Sequence, residues 1–389
     1  MNDLERFKAI INFEKPDYVP VFGFPGAPGV SAGCMVLTHR HLVEQGMPAD
    51  VGGFYNEKGL NEVESWEKYW GTTVPLCPDF FPLYTTGNKI RIEKRMEGNY
   101  EILEYETGAV IRQVVDNDIT YSMPEFRSFH VRDRKSWEFY RDKTLPGKRP
   151  DAERIKQECA KFKNRTKPLV ISVFGTWGSR LRDLMGPEKA CTILYDDPVL
   201  AHEIIDYYSD INRDYLFPII EYLRPEIVGT GEDMCYNHGM LISPKHFREF
   251  CLPAYKRISE VVHDCKVDVF SFDNDGNVME LVPLLEESGM NLIYPCEVKA
   301  KNDLFSLRER HPNFIFCGWL EKEVLNEGNE HMIEIEIMTK VPRLLEKGGY
   351  FPNADHGIQP PVSFRSLCKF MTLLHEVTGN PQGQFPRVI

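Results

Sequence analysis

Two carboxylates one residue apart stand in the run Phe272-Asp273-Asn274-Asp275-Gly276-Asn277, between an apolar stretch, Val267 to Phe270, and a helix-like stretch, Val278 to Glu287. Paired acids where a strand hands over to a helix occupy the place where an α/β barrel keeps its chemistry. Asp-Asn-Asp-Gly is also good turn and N-cap chemistry, so a structural turn is the competing reading. Other strand-like stretches end on Phe24, Trp177, Glu232-Asp233-Met234, Cys296-Glu297, Trp319 and Asp355-His356. A parallel barrel gathers such ends on one face, which here makes an acidic ring with aromatic company.

Glu232, Asp273, Asp275 and Glu297 cannot all stay ionised in a desolvated pocket, because like charges raise one another's pKa. A divalent cation or a shared proton relieves that repulsion. Asp273, Asp275 and Glu297 with the imidazole of His356 form a mixed oxygen and nitrogen set suited to zinc or another divalent metal. Asp275 and Glu232 are the candidate catalytic groups. Phe24, Trp177, Met234, Tyr236 and Trp319 are candidates for a substrate surface, and Arg180 for holding an anionic group. Each has a plainer alternative: a capping or substrate-binding role for His356, a strand-end turn for Glu232 and Asp233, a core thiol for Cys296 and simple packing for the aromatics.

The elements that would position these groups follow from hydrophobic spacing. Leu4 to Phe13 has helical periodicity, and Val19 to Phe22 reads as a buried strand running into a Gly/Pro turn. From about residue 89 to 131 the pattern alternates with period two, through Ile90 to Ile92, Tyr100 to Tyr105 and Val110 to Val115, which predicts an antiparallel β-meander inserted into a larger body. From residue 168 onward, strands at Leu169 to Phe174, Glu226 to Thr230, Val267 to Phe272, Leu292 to Pro295, Phe314 to Gly318 and Tyr350 to Asn353 alternate with helices such as Asp197 to Ile220 and Pro244 to Val262. That rhythm implies a parallel sheet. No GxGxxG fingerprint, GxxxxGK[ST] loop or GxSxG elbow is present, which favours a barrel over an open nucleotide-binding sheet and gives no basis for covalent catalysis.

At 389 residues, 42% hydrophobic and 27% charged, the chain has the composition of an ordinary soluble protein, and it is expected to fold as one barrel domain, 1–389. A net charge of -12 argues against nucleic acid or an anionic membrane as partner. No apolar run approaches bilayer length and no signal-like segment opens the chain, so a cytoplasmic location is expected. Ten cysteines without CxxC pairs suggest neither a disulfide framework nor a zinc knuckle.

The opening Arg6-Phe7-Lys8-Ala9-Ile10 with Glu14-Lys15-Pro16-Asp17-Tyr18-Val19-Pro20-Val21 resembles the start of the uroporphyrinogen decarboxylase superfamily. Leu184-Met185-Gly186, Tyr195-Asp196-Asp197-Pro198, Glu232-Asp233-Met234, Leu241-Ile242-Ser243-Pro244 and Leu252-Pro253-Ala254-Tyr255 are similar to its cobamide-dependent methyltransferase branch. The resemblance implies a (β/α)8 TIM barrel with its site at the strand C-termini. It also marks departures. Phe22-Gly23-Phe24-Pro25-Gly26 stands where porphyrinogen decarboxylases carry an arginine-rich loop, and Asp273-Asn274-Asp275-Gly276 where thiol-methylating zinc relatives carry H-x-C. The relatives that fit these changes best demethylate phenyl methyl ethers, passing the methyl group to the cobalt of a separate corrinoid-binding protein. Zinc or another divalent metal, a corrinoid supplied by that partner and a homodimer are the accompanying expectations. A thiol or pterin acceptor, a decarboxylase or lyase, and a non-catalytic ligand-binding barrel are the alternatives.

Overall fold

The computed structural model describes residues 1–23, 33–56, 59–80, 90–114, 124–144, 146–147, 149, 151–326, 328–381 and 383–389. Six parallel strands, Val170–Ser172, Ile227–Gly231, Val269–Asn274, Leu292–Pro295, Ile315–Leu320 and Tyr350–Ala354, are hydrogen-bonded side by side in chain order. Strands buried on both faces by helices read as continuous apolar runs, which is why this series stands out in the sequence. A parallel pair, Val21–Phe22 with Thr72–Thr73, lies beside it. Leu76 extends this pair towards the first strand of the six, bridging Leu169 and accepting from the Val170 amide at 2.9 Å. At the other end, the Asn353 amide donates to the Phe22 carbonyl at 3.1 Å. Among the described residues the backbone ladder itself is six-stranded and does not run continuously round a ring.

The N-terminal helix Asp3–Ile11 plugs one end of this assembly. Asn2 and Glu5 form a reciprocal capping box at its start, satisfying amides that a first turn leaves without partners. Phe7, Ile10 and Ile11 then enter a cluster with Phe22, Val170, Ile227, Val269, Leu292, Ile315 and Phe351, the inward residues of the strands. Phe7 packs 5.4 Å from Phe22 and 5.6 Å from Phe351, centroid to centroid. Arg6 anchors the entry loop through a two-pronged bond to Asp17, at 2.8 and 2.9 Å, so the Glu-Lys-Pro-Asp segment has a clear structural use. With that end filled, chemistry is left to the opposite one.

The expected meander is present with a fourth strand. Ile92–Glu97, Tyr100–Tyr105, Val110–Val114 and Glu125–Ser128 form an antiparallel sheet in chain order, and Gly98, at φ 64°, makes the first turn. The helix expected from Val278 begins instead at Val282. The amide of Val278 is taken by the Asn302 side chain at 2.8 Å, which holds the four intervening residues as a turn. No helix among the described residues is long and apolar enough to cross a membrane.

Candidate active site

Asp273 sits in the last third of its strand, paired in register with Gly231 on one side and Tyr294 on the other. Strand alternation turns all three towards the axis of the fold. They line a cavity of about 250 Å³ together with Ser172 and Gly229. Ser172 and Gly231 are the only exposed positions of otherwise buried strands, and the surface they show opens on this cavity. Among the described residues the Asp273 carboxyl has no hydrogen-bond partner. Burial, reinforced by the charges of Asp275 and Asp233, pushes its pKa well above the usual carboxylate range. A carboxyl shifted in that direction holds its proton to higher pH and is suited to donate it.

Around the rim the acids are held individually. Asp233, in left-handed backbone at φ 44°, accepts from the Asp275 amide at 3.2 Å, while Arg182 bonds its carbonyl at 2.7 Å. Burial and Asp275 raise the Asp233 pKa, and Arg182 offsets part of the rise. His356 Nε2 stands 3.6 Å from Asp275 Oδ2, and that contact raises the imidazole pKa against the opposing effect of burial. Glu297 accepts from the Gly276 amide at 2.9 Å. Gly276 has no room for a side chain, because a Cβ would lie 2.7 Å from the Tyr236 amide nitrogen.

The sequence reading missed Lys322. Its ammonium lies 3.5 Å from Glu323, 3.8 Å from Glu297 and 4.0 Å from Asp355, and the residue is nearly buried. The contacts of the expected donors Asp273, Asp275, Glu297 and His356 run to different partners: Glu297 faces Lys322 and Gly276, and His356 meets Asp275. Among the described residues no group of three or more His, Cys, Asp or Glu side chains is arranged to hold a metal ion. The residues present therefore do not fit the expected metal, and its neutralising role on this side of the rim is taken by Lys322.

Removal of that cation should be visible in stability. Burial lifts the Asp355 carboxyl to about 6 against an ordinary 3.8, with Lys322 holding it down. Wild-type stability therefore falls as pH rises across that window, since the unfolded chain releases the proton first. In Lys322→Met the Asp355 value should rise further and the decline extend to higher pH. We expect a loss of about 2 kcal/mol near pH 8, below the roughly 3–5 of a fully buried pair, shrinking towards pH 4. Urea denaturation of both proteins across that range measures it.

Glu232 is also at the strand ends but is turned away from the cavity. Its carboxylate accepts from the Thr176 amide, the Thr176 hydroxyl at 2.9 Å, the Ser179 amide at 2.8 Å and the Tyr255 hydroxyl. Gly175 and Gly178 make space for it: a Cβ on Gly178 would lie 1.4 Å from the Glu232 carbonyl oxygen. The carboxylate organises the loop after the Val170–Ser172 strand, and the geometry gives it no line to Asp273's cavity.

The aromatic candidates are likewise dispersed. Trp177 is fully buried with its indole N–H on the Ala190 carbonyl at 2.9 Å, and Met234 is fully buried in the outer core. Trp319 is nearly buried, its N–H on the Asn302 carbonyl at 2.8 Å and Lys340 over its ring. Tyr236 is exposed and stacks on His238. Arg180 lies over Phe174 and Tyr208, 4.5 and 4.6 Å from their centroids. None of the five lines the cavity, and Phe24 lies outside the described residues. The cavity's own lining was hidden because Ser172, Gly229 and Gly231 are unremarkable strand residues until four strands are set side by side.

No curated protein matches the chain. The family model for uroporphyrinogen decarboxylase (URO-D) covers residues 154–377, from the helix ahead of the six-stranded sheet to the last helix. That is more than half of the 389 residues, and the chain belongs to the uroporphyrinogen decarboxylase family.

Proposed function

We propose that this protein takes a methyl group from a small methoxylated aromatic and passes it to the cobalt of a corrinoid carried by a separate protein, on strands that close as a (β/α)8 barrel. The observation that carries the reading is the Asp273 carboxyl, lining a small cavity at the C-terminal ends of the strands, where burial pushes its pKa well above the usual carboxylate range. A phenyl methyl ether is a poor methyl donor, because its leaving group is a phenolate with a conjugate acid near pKa ~10. As the methyl–oxygen bond breaks, the electron pair stays on oxygen, and Asp273 delivers its proton there. The products are a phenol and the methylated acceptor, and the Asp273 carboxylate regains its proton from solvent. Tyr294, its hydroxyl kept un-ionised by burial, lines the same cavity.

The cavity lining disfavours the family's namesake reaction here. Among the described residues its only carboxyl is Asp273, and no arginine or lysine lines it to meet a carboxylated substrate. A cavity of about 250 Å³ also has no room for a four-ring tetrapyrrole. The test is incubation with reduced corrinoid protein and a panel of phenyl methyl ethers, following cobalt methylation by absorbance. Methylation with neutral one-ring ethers supports the proposal; its absence with every methyl donor rejects it.

A further inference from the structure

Of the two glycines in the cavity lining, Gly231 is the one whose lack of a side chain the local geometry does not require. Its backbone is outside the left-handed region, and the three atoms nearest to a Cβ there would all belong to Asp273, at 3.4 to 3.8 Å, an ordinary contact distance. Gly229 is different, since a Cβ would lie 2.4 Å from the Ser271 hydroxyl oxygen. Glycine inside a strand is unfavourable, through lost backbone freedom and an absent packing partner. Barrel interiors are normally filled by layers of inward side chains, yet two successive inward positions of the Ile227–Gly231 strand carry none. At Gly231 the missing side chain answers neither a turn nor a clash, and what it leaves is open space facing Asp273 and Tyr294.

We infer that Gly231 is a specificity-determining residue that keeps the cavity open for a neutral, one-ring molecule bearing an oxygen acceptor. The inference rests on the methyl-ether reading for the substrate's chemical class and on the cavity alone for its size. A dry cavity of roughly 150 Å³ accommodates benzene. The 250 Å³ present here is ample for one substituted ring. Oxygen recognition is assigned to the Asp273 carboxyl, which lines the cavity with Ser172 and Tyr294. Every added carbon at position 231 subtracts from the space the ring would fill.

The experiment measures binding of methoxybenzene, phenol and 2-methoxynaphthalene to the full chain by saturation-transfer NMR, for wild type, Gly231→Ala and Gly231→Leu. Denaturation midpoints are read in parallel. Wild type should bind the two one-ring probes, and more tightly than the two-ring one. Gly231→Ala should fold with an unchanged or higher midpoint and bind at least tenfold more weakly, and Gly231→Leu should not bind. Failure of wild type to bind either one-ring probe, equal binding by Gly231→Ala, or a Gly231→Ala chain that does not fold would each overturn the inference. Phenol has no methyl group to give, so its loss on Gly231→Ala alongside absent cobalt methylation in wild type keeps the cavity assignment and rejects the reaction. Undiminished methyl transfer in Gly231→Ala does the reverse.

Discussion

Asp273→Asn is expected to lower methyl transfer from phenyl methyl ethers by about 10²–10⁴-fold, the range a positioned general acid contributes. Asparagine has nearly the same shape and can still offer a hydrogen bond, so binding should change little, but it has no proton to surrender to the departing oxygen. The loss should be smallest for ethers of acidic phenols, whose oxygen needs the proton least, and a slope against leaving-group pKa separates this role from simple positioning. Stability should move the other way. The unfolded carboxyl titrates near 3.8 and the folded one well above it. Wild type is therefore most stable below that lower value and loses stability as pH rises towards the folded one. Asparagine has no such dependence, so Asp273→Asn should gain on wild type with increasing pH, as measured by chemical denaturation at pH 4 and pH 8. An inactive variant that is also less stable at pH 8 would point to a structural carboxylate and against a stored proton.

How much of this could be read from the residues depended on the kind of signal. The parallel strands were legible because burial on both faces leaves unbroken apolar runs. The Leu292–Pro295 strand matches its reading, and Ile227–Gly231 differs by one residue at each end. Glu226 looked like the start of that strand, but its carboxylate is the anchor for Arg165 and for the Leu169 amide. Asp273 was legible through its place beside Asp275 at a strand end. What the acids touch was not, because one residue of rotation separates the Asp273 cavity from the Glu232 loop. Trp177 and Trp319 show the same limit: a strand-end position does not say whether a ring faces the mouth or the surrounding helices. Lys322 carried no local signal at all, since its meaning comes from Glu297 and Asp355, just past the strands on either side.

Replacing Glu232 should unfold the region that the sequence alone placed among the catalytic groups. Glu232→Ala removes a buried carboxylate whose partners, the Thr176 and Ser179 amides and the Thr176 and Tyr255 hydroxyls, sit on the segment that follows the Val170–Ser172 strand and on the helix Leu252–Asp264. Water has no ready access there, because Thr176 and Tyr255 are themselves buried. Each stranded donor costs about 1–3 kcal/mol, and Thr176 and Tyr255 can satisfy each other through their 2.8 Å hydroxyl contact, which leaves the two amides. A loss of about 3–5 kcal/mol is expected, measured by urea denaturation at pH 7. Glu232→Gln should fall between, since its amide oxygen can still accept while its NH₂ faces donors. If Glu232 served the reacting atoms, the glutamine variant would keep its midpoint and lose turnover. If it organises the loop after the Val170–Ser172 strand, turnover at low temperature should follow the folded fraction. The cradle makes the second outcome the expected one: Gly178 already gives up its side chain to let the Glu232 backbone approach, and a group held from that many directions is placed to hold Ser172's strand against the cavity, not to move a proton within it.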